Sequence, residues 1–126
     1  MADDVSLGFP AAFEYIRLAR LVASGLAAQM NFTLDDIEDL RIAVDELCSA
    51  LVEAAADRDS TVRVTFRIDG QQIDMEADVP TASSDGAYAV DDISSHILRA
   101  AVDRHEFERS AERLVARMSK QCLTVN

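Results

Sequence analysis

The chain has 126 residues, with 23 acidic against 12 basic side chains and a formal net charge of -11. A nucleic-acid binder needs lysine and arginine to displace counterions from phosphates, so this charge argues against direct DNA or RNA binding. The length is that of one globular unit, and we expect residues 1–126 to form a single domain with its own core.

The cysteines and the N-terminus bear on the compartment. Cys48 and Cys122 are far apart in the sequence, and each lies among apolar neighbours, as small buried hydrophobic residues do. No disulfide framework is expected, which fits a reducing compartment. The N-terminal Met-Ala-Asp-Asp lacks an apolar signal-peptide region, and no apolar run approaches the roughly 20 residues that span a bilayer. We therefore expect a cytoplasmic protein without a membrane segment.

The first 30 residues predict a strand followed by a helix. Residues 4–9 have the pattern of a short strand that ends at Pro10, and helical spacing of apolar residues then continues to about Met30. The apolar positions of this helix are Phe13, Ile16, Ala19, Ala23, Leu26 and Met30.

A second, longer helix is predicted over about residues 34–56. Thr33 is a favourable N-cap, and Asp36 stands three positions later, where a capping partner belongs. The acidic residues of this segment are expected to form its solvated face. Its expected apolar stripe is Leu34, Ile37, Leu40, Val44, Leu47, Cys48, Leu51 and Ala55.

The second half of the chain predicts two strand pairs separated by a helix. Residues 61–68 alternate with period two, Asp69-Gly70 is a hairpin turn, and residues 72–79 return as a strand. Residues 80–89 are expected to be a loop. A third helix, capped by Asp91 or Asp92, is predicted to about residue 103, with Ile93, Ile97, Leu98, Ala101 and Val102 facing inward.

Residues 105–109 and 112–122 predict a closing strand pair. The resulting order is β-α-α-β-β-α-β-β. Hairpins with segregated helices predict an α/β (α+β) two-layer sandwich, in which helices cover a mixed, mostly antiparallel sheet.

Most catalytic signatures are absent from the sequence. It has no glycine-rich phosphate loop, no nucleophile elbow and no histidine pair at metal-ligand spacing. The two histidines, His96 and His105, stand alone. We therefore expect no metal site built from histidine.

The most informative segment runs from Asp36 to Ala55, where Ala43-Val44-Asp45-Glu46 follows an acidic stretch. This segment resembles the N-box helix of the anti-sigma-factor serine kinases, the RsbW-type branch of the GHKL (histidine-kinase-like) ATPases. The family's order of strands and helices also corresponds over nearly the whole chain. The resemblance implies the GHKL fold, with Glu46 at the position of the family's general base and Asp78 at that of its adenine contact.

Other nucleotide-binding positions depart from the family pattern. Ala50 replaces the asparagine that holds Mg²⁺, and Ala54 replaces a histidine. Pro80 and Ala82 replace the glycines that follow the adenine-contact aspartate, and residues 94–98 contain no glycine where the family wraps the phosphates. A hard cation needs oxygen ligands, and proline removes a backbone donor. Inefficient use of ATP and Mg²⁺, or none, is therefore expected, with Glu46 and Asp78 as remnants.

The resemblance also implies protein partners. These are a sigma factor, which the protein would sequester, and an anti-anti-sigma antagonist of the STAS type, which would release it. The family has an arginine on the first helix that contacts the sigma factor, and Arg20 occupies that position, with Arg17 as the neighbouring candidate. The arginine fork suits bidentate pairing with carboxylates. Family members dimerise, so a homodimer is implied as well.

Two alternatives remain open. One is an active ATP-dependent serine kinase with an atypical pocket, which would use Glu46 and Asp78. The other is an unrelated α/β domain that binds a small ligand, for which we would expect an apolar pocket between sheet and helices and no protein partner.

Overall fold

A computed structural model of the chain describes residues 3–82, 92–110 and 112–122. The elements follow one another in the order that the sequence predicts. They are β1 (Asp3–Pro10), a 3-10 turn (Phe13–Tyr15), α1 (Ile16–Gln29), α2 (Leu34–Ala54), β2 (Thr61–Asp69), β3 (Gln72–Pro80), α3 (Asp92–Ala101), β4 (Arg104–Arg109) and β5 (Arg113–Gln121).

The five strands form one sheet in the order β1-β2-β3-β5-β4. All four pairings between these strands are antiparallel, so the predicted mixed sheet is wrong in this respect. The reason lies in the last crossover. β3 and β4 run in the same direction and are joined through α3, but β5 inserts between them and pairs antiparallel with both.

One face of the sheet is buried and the other is open. In β3, buried residues alternate with more exposed ones, as expected for a strand whose side chains point to opposite faces. β5 shows the same alternation. The helices cover the buried face, with α2 packed against β2, β3 and β5. The two-layer α/β arrangement expected from the sequence is thus confirmed. The buried residues of these two strands are Ile73, Met75, Ala77, Val79, Leu114, Ala116, Met118 and Lys120.

α2 lies in the middle of the helical layer, because it packs against α1 on one side and α3 on the other. Three alanines of α1 at four-residue spacing, Ala19, Ala23 and Ala27, are completely buried. Their small side chains allow α1 to pack closely on its neighbours. α2 buries Leu40, Ala43, Val44, Leu47, Cys48, Ala50 and Leu51.

Two polar side chains, those of Thr33 and Lys120, hold helix ends in place. The Asp36 backbone N–H donates to the Thr33 hydroxyl oxygen at 3.1 Å, which confirms the predicted N-cap of α2. Lys120 enters the covered side of the sheet, and its ammonium group donates to the Ala101 carbonyl oxygen at 2.8 Å, at the end of α3. The same ammonium group lies 3.8 Å from the Asp36 carboxylate, in the first turn of α2. A cation at a helix C-terminus and an anion at an N-terminus both complement the helix dipole.

Several element boundaries and inward positions differ from expectation. Pro10 belongs to β1 rather than to a helix, because an edge strand tolerates a residue without an N–H donor. α1 therefore begins only at Ile16, and Phe13 is 56% exposed in the preceding turn. Leu34 and Ile93 are 86% and 74% exposed, since each lies in the first turn of its helix, before the buried part begins. Asp91 and most of the expected 80–89 loop lie outside the described residues.

Both cysteines are free and buried, as the sequence predicts. Burial and, to a smaller extent, the nearby Asp45 carboxylate together raise the pKa of the Cys48 thiol to about 12. This thiol is therefore inert at neutral pH. No helix within the described ranges is long and apolar enough to cross a membrane.

The close packing of α1 gives a stability prediction. Ala23 is completely buried, so Ala23→Leu adds volume where there is no space and should lower the free energy of unfolding by about 1–3 kcal/mol. Gly25→Ala on the same helix should act in the opposite direction, because an added Cβ would meet nothing within 4 Å. The gain expected for glycine-to-alanine inside a helix is roughly 0.5–1 kcal/mol. Urea denaturation followed by circular dichroism measures both, and an unchanged Ala23→Leu protein would contradict the close packing.

Candidate functional site

The orientation of α2 sets the geometry of the candidate site through two consecutive residues. Side chains of adjacent helical residues point about 100° apart. Asp45 accordingly reaches α1, where it meets Arg20, and Glu46 reaches α3, where it meets Ser94. One helix thus presents its acidic pair to two different neighbours.

The Glu46 carboxylate accepts a hydrogen bond from a serine. The Ser94 hydroxyl donates to Glu46 Oε2 at 2.8 Å in a partly buried setting. A carboxylate within hydrogen-bond distance of a hydroxyl has the geometry required of a general base. The sequence did not predict this contact, because the two residues are 48 positions apart. The only signal was a serine, Ser94, at the start of the third predicted helix.

Asp78 lies on the open face of the sheet. Its neighbours Ala77 and Val79 are buried beneath the helices, so alternation places Asp78 on the other side. There the Arg113 Nε and Nη2 atoms donate to Asp78 Oδ2 at 3.2 and 3.0 Å. The structure therefore does not bring Asp78 together with Glu46. The period-two pattern of residues 72–79 indicates that Asp78 faces away from the core. The motif match at Asp78 conflicts with that pattern.

The segment after β3 is attached to other parts of the chain. The Ala56 N–H donates to the Pro80 carbonyl oxygen at 3.0 Å, and the Thr81 N–H donates to the Glu112 carbonyl oxygen at 2.7 Å. Pro80 has no N–H to offer. The backbone donors that residues 80 and 81 could offer to a nucleotide are therefore missing or already used.

These features do not fit a Mg²⁺-bound nucleotide. The resemblance places the metal ligand at position 50, where a buried alanine supplies no oxygen. Across the described ranges, no three histidine, cysteine, aspartate or glutamate side chains come together in a way that could hold a metal ion. The position assigned to adenine contact is engaged by Arg113 on the open face of the sheet.

α1 presents a second candidate surface, which we call the α1 face: Arg17, Leu18, Arg20 and Leu21. Leu18 and Leu21 are 40% and 67% exposed, and Arg17 is exposed and forms no ion pair within the part of the chain that the structure describes. α1 contains no aspartate or glutamate, although the whole chain has 23. The α1 face therefore combines positive charge and apolar contact area in an otherwise acidic protein.

A wide depression of about 950 Å³ lies on the open face of the sheet rather than between sheet and helices. Most of the residues that line it are polar or charged, and they include Arg117, which pairs with Glu76 at 3.0 Å and Glu108 at 2.8 Å. It is thus not the apolar pocket that a small-ligand domain was expected to have. The carboxylates also raise the pKa of Arg117, so this guanidinium stays charged.

Comparison with known proteins identifies the class. Residues 9–120 match the family model of the histidine kinase-like ATPase domain. The chain belongs to that family, and its similarity to RsbW proteins confirms the resemblance found in the sequence.

Curated relatives share part of their length with this chain. It is 44% identical over 66 residues to the serine-protein kinase RsbW of Bacillus licheniformis, covering 52% of this chain and 41% of the relative. It is 34% identical over 86 residues to serine-protein kinase RsbW of Halalkalibacterium halodurans, covering 60% and 53%. The chain thus spans about half the length of the relatives it matches.

A solved structure supports the fold. The crystal structure of the RsbU and RsbW domains of Rv1364c from Mycobacterium tuberculosis superposes with a TM-score of 0.66. The alignment covers 94% of this chain and 32% of that one, at 17% identity. At this identity the likeness concerns the fold alone.

The poor fit to a nucleotide gives a direct prediction. Isothermal titration of the purified protein with Mg-ATP should give no binding heat up to millimolar nucleotide, because position 50 lacks a ligand oxygen and the donors after β3 are missing or used. A titration with Mg-ADP, which lacks the terminal phosphate, serves as the matched control. Micromolar binding of Mg-ATP would contradict this interpretation of the pocket.

Proposed function

We propose that the protein is an anti-sigma regulator that captures a sigma factor through the α1 face. The observation that carries this proposal is the combination of Arg17, Arg20 and exposed leucines on a helix without acidic residues. Interfaces are enriched in arginine, and exposed apolar side chains surrounded by charge are typical of protein contact sites. Similarity to RsbW proteins supports the same role.

The chemistry favours an acidic segment of the partner. Arg17 and Arg20 stand on the same side of α1, three positions apart, and an arginine fork pairs bidentately with a carboxylate. The exposed side chains of Leu18 and Leu21 supply apolar contact next to them. The net charge of -11 repels an acidic partner elsewhere on the surface, which directs the encounter to this helix.

Release would follow by competition. A STAS-type antagonist that overlaps the sigma-factor surface shifts the equilibrium according to the concentrations and affinities of the two partners. This mechanism needs no phosphoryl transfer, which accords with the poor fit of Mg-ATP. The proposal includes a cytoplasmic, single-domain protein that acts as a homodimer, with Glu46 as a remnant of the family's nucleotide site.

Arg20→Ala tests the capture surface. Calorimetric titration with each purified alternative sigma factor of the same organism should show one that binds the wild-type protein. Its affinity should fall at least tenfold in Arg20→Ala, because loss of a charged hydrogen-bond donor at an interface costs about 2 kcal/mol or more. Arg99→Ala, an exposed arginine on α3, is the matched control and should bind as the wild type does.

The outcomes separate clearly. If no sigma factor binds, the proposed function is wrong. If a sigma factor binds and both arginine variants weaken it equally, general charge rather than the α1 face accounts for the contact. Addition of a purified STAS protein to the complex should release the sigma factor in the same experiment.

An active serine kinase is the second candidate, and the Glu46 contact favours it. The carboxylate already accepts a hydrogen bond from the Ser94 hydroxyl at 2.8 Å, so it is placed and oriented to accept one from a serine. Two of the matched relatives are serine-protein kinases by name. In this reading Glu46 would act on a serine of the antagonist.

Phosphoryl incorporation distinguishes the two candidates. The purified protein is incubated with Mg-ATP and a STAS protein, and the STAS protein is analysed by intact mass. We expect no incorporation, because the residues do not fit the nucleotide. A kinase would add one phosphoryl group, and Glu46→Gln would slow that addition by about 100-fold or more, as loss of a general base does. Equal rates of phosphoryl incorporation with the wild-type protein and with Glu46→Gln would exclude Glu46 as the base.

A further inference from the structure

Arg20 is not free in the isolated protein. Its Nε atom lies 3.2 Å from Asp45 Oδ1, and its Nη1 atom donates to Asp45 Oδ2 at 3.5 Å. The two side chains are 35% and 43% exposed, so the pair lies at the surface of the contact between α1 and α2. The Arg20 guanidinium, which the α1 face would offer to a partner, is therefore already paired with the Asp45 carboxylate.

This ion pair is longer than several others in the described part of the molecule. Arg113 donates twice to Asp78 at 3.2 and 3.0 Å, and Arg117 donates to Glu108 at 2.8 Å. The closest contact between Arg20 and Asp45 is 3.2 Å, and the hydrogen bond from Arg20 Nη1 is 3.5 Å long. Partly exposed ion pairs contribute little net stability, so replacing Asp45 by a partner carboxylate costs little.

The surroundings of Asp45 make its negative charge unfavourable. Burial raises the pKa of this carboxyl, and the nearby Glu46 and Glu38 raise it further, against the opposing attraction of Arg20 and Arg41. Arg41 is shared, since it also donates to Glu38 at 3.3 Å. Asp45 would also lie close to any carboxylate that a partner places on Arg20, and the two like charges would repel each other.

We propose that Asp45 is an internal competitor for Arg20, which an acidic residue of the partner must displace, so that Asp45 sets the affinity of the α1 face. The inference rests on the proposed capture of a sigma factor, and it names the residue that limits the affinity of that capture. The exchange replaces one carboxylate by another on the same guanidinium. Only the difference between the two contacts reaches the binding free energy, which keeps the complex weak enough for an antagonist to reverse.

Asp45→Asn tests the competition. The variant keeps the size of the side chain and removes its charge. The sigma factor that binds in the Arg20 titration should bind Asp45→Asn about fivefold more tightly, the scale of one exposed ion pair. Glu53→Gln makes the same change of net charge on an exposed part of α2 and should leave the affinity unchanged. In an Arg20→Ala background, Asp45→Asn should tighten binding less than it does in the wild type, because the competition needs both residues and only the repulsion between the two carboxylates remains.

A measurement on the free protein tests the inference independently of the sigma-factor titration. The Arg20 Nε–H signal in ¹⁵N NMR should exchange with water faster in Asp45→Asn than in the wild type, since the carboxylate no longer holds it. Equal exchange would overturn the inference even if the sigma factor binds.

The titration can contradict the inference in ways that are distinguishable from one another. Weaker binding by Asp45→Asn would mean that Asp45 orients Arg20 for the partner, and unchanged binding would mean that it has no role. Either result overturns the inference while the function stands, provided that Arg20→Ala still weakens binding. Absence of any sigma-factor binding overturns the function and the inference together.

Discussion

The burial of α2 between α1, α3 and the sheet is the constraint on which the rest of the structure depends. Leu40, Val44, Leu47 and Leu51 are all completely buried on this helix. Each such side chain contributes roughly 1.5–3 kcal/mol to folding, whereas a half-exposed ion pair contributes about 0–1 kcal/mol. Apolar burial therefore fixes the rotation of α2, and the directions of its polar residues follow from it. The polar contacts of the candidate site are consequences of the core rather than its cause.

Local patterns in the sequence predicted most of the fold because they depend on neighbouring residues. The Thr33 cap, the hairpin at Asp69-Gly70 and the order of the elements were all visible in this way. The order of the strands within the sheet was not, since the insertion of β5 between β3 and β4 is a choice between distant strands. Apolar spacing also could not show that the first turn of α2, with Leu34, lies outside the core.

The sequence predicted which positions along the chain belong to the candidate site, but not which side chains those residues contact. The motif located Glu46, and nothing near it in the sequence announced Ser94. For Asp78 the motif and the strand pattern disagreed, and the strand pattern decided the face on which the side chain lies. On that face Asp78 pairs with Arg113 of the neighbouring strand β5. The structure therefore does not support the assignment of Asp78 to adenine contact.

The proposed capture of an acidic segment by an acidic protein requires the repulsion between them to be short-ranged. At physiological ionic strength the Debye length is about 8 Å, so most of the net charge of -11 is screened at the α1 face. The charges that act there are those within that distance, and Asp45 is the carboxylate in direct contact with Arg20. Under the proposed competition, this single residue of α2 has more influence on the affinity of the α1 face than the bulk of the acidic residues. Changing this one local pair would then alter the affinity while leaving most of the net negative charge in place.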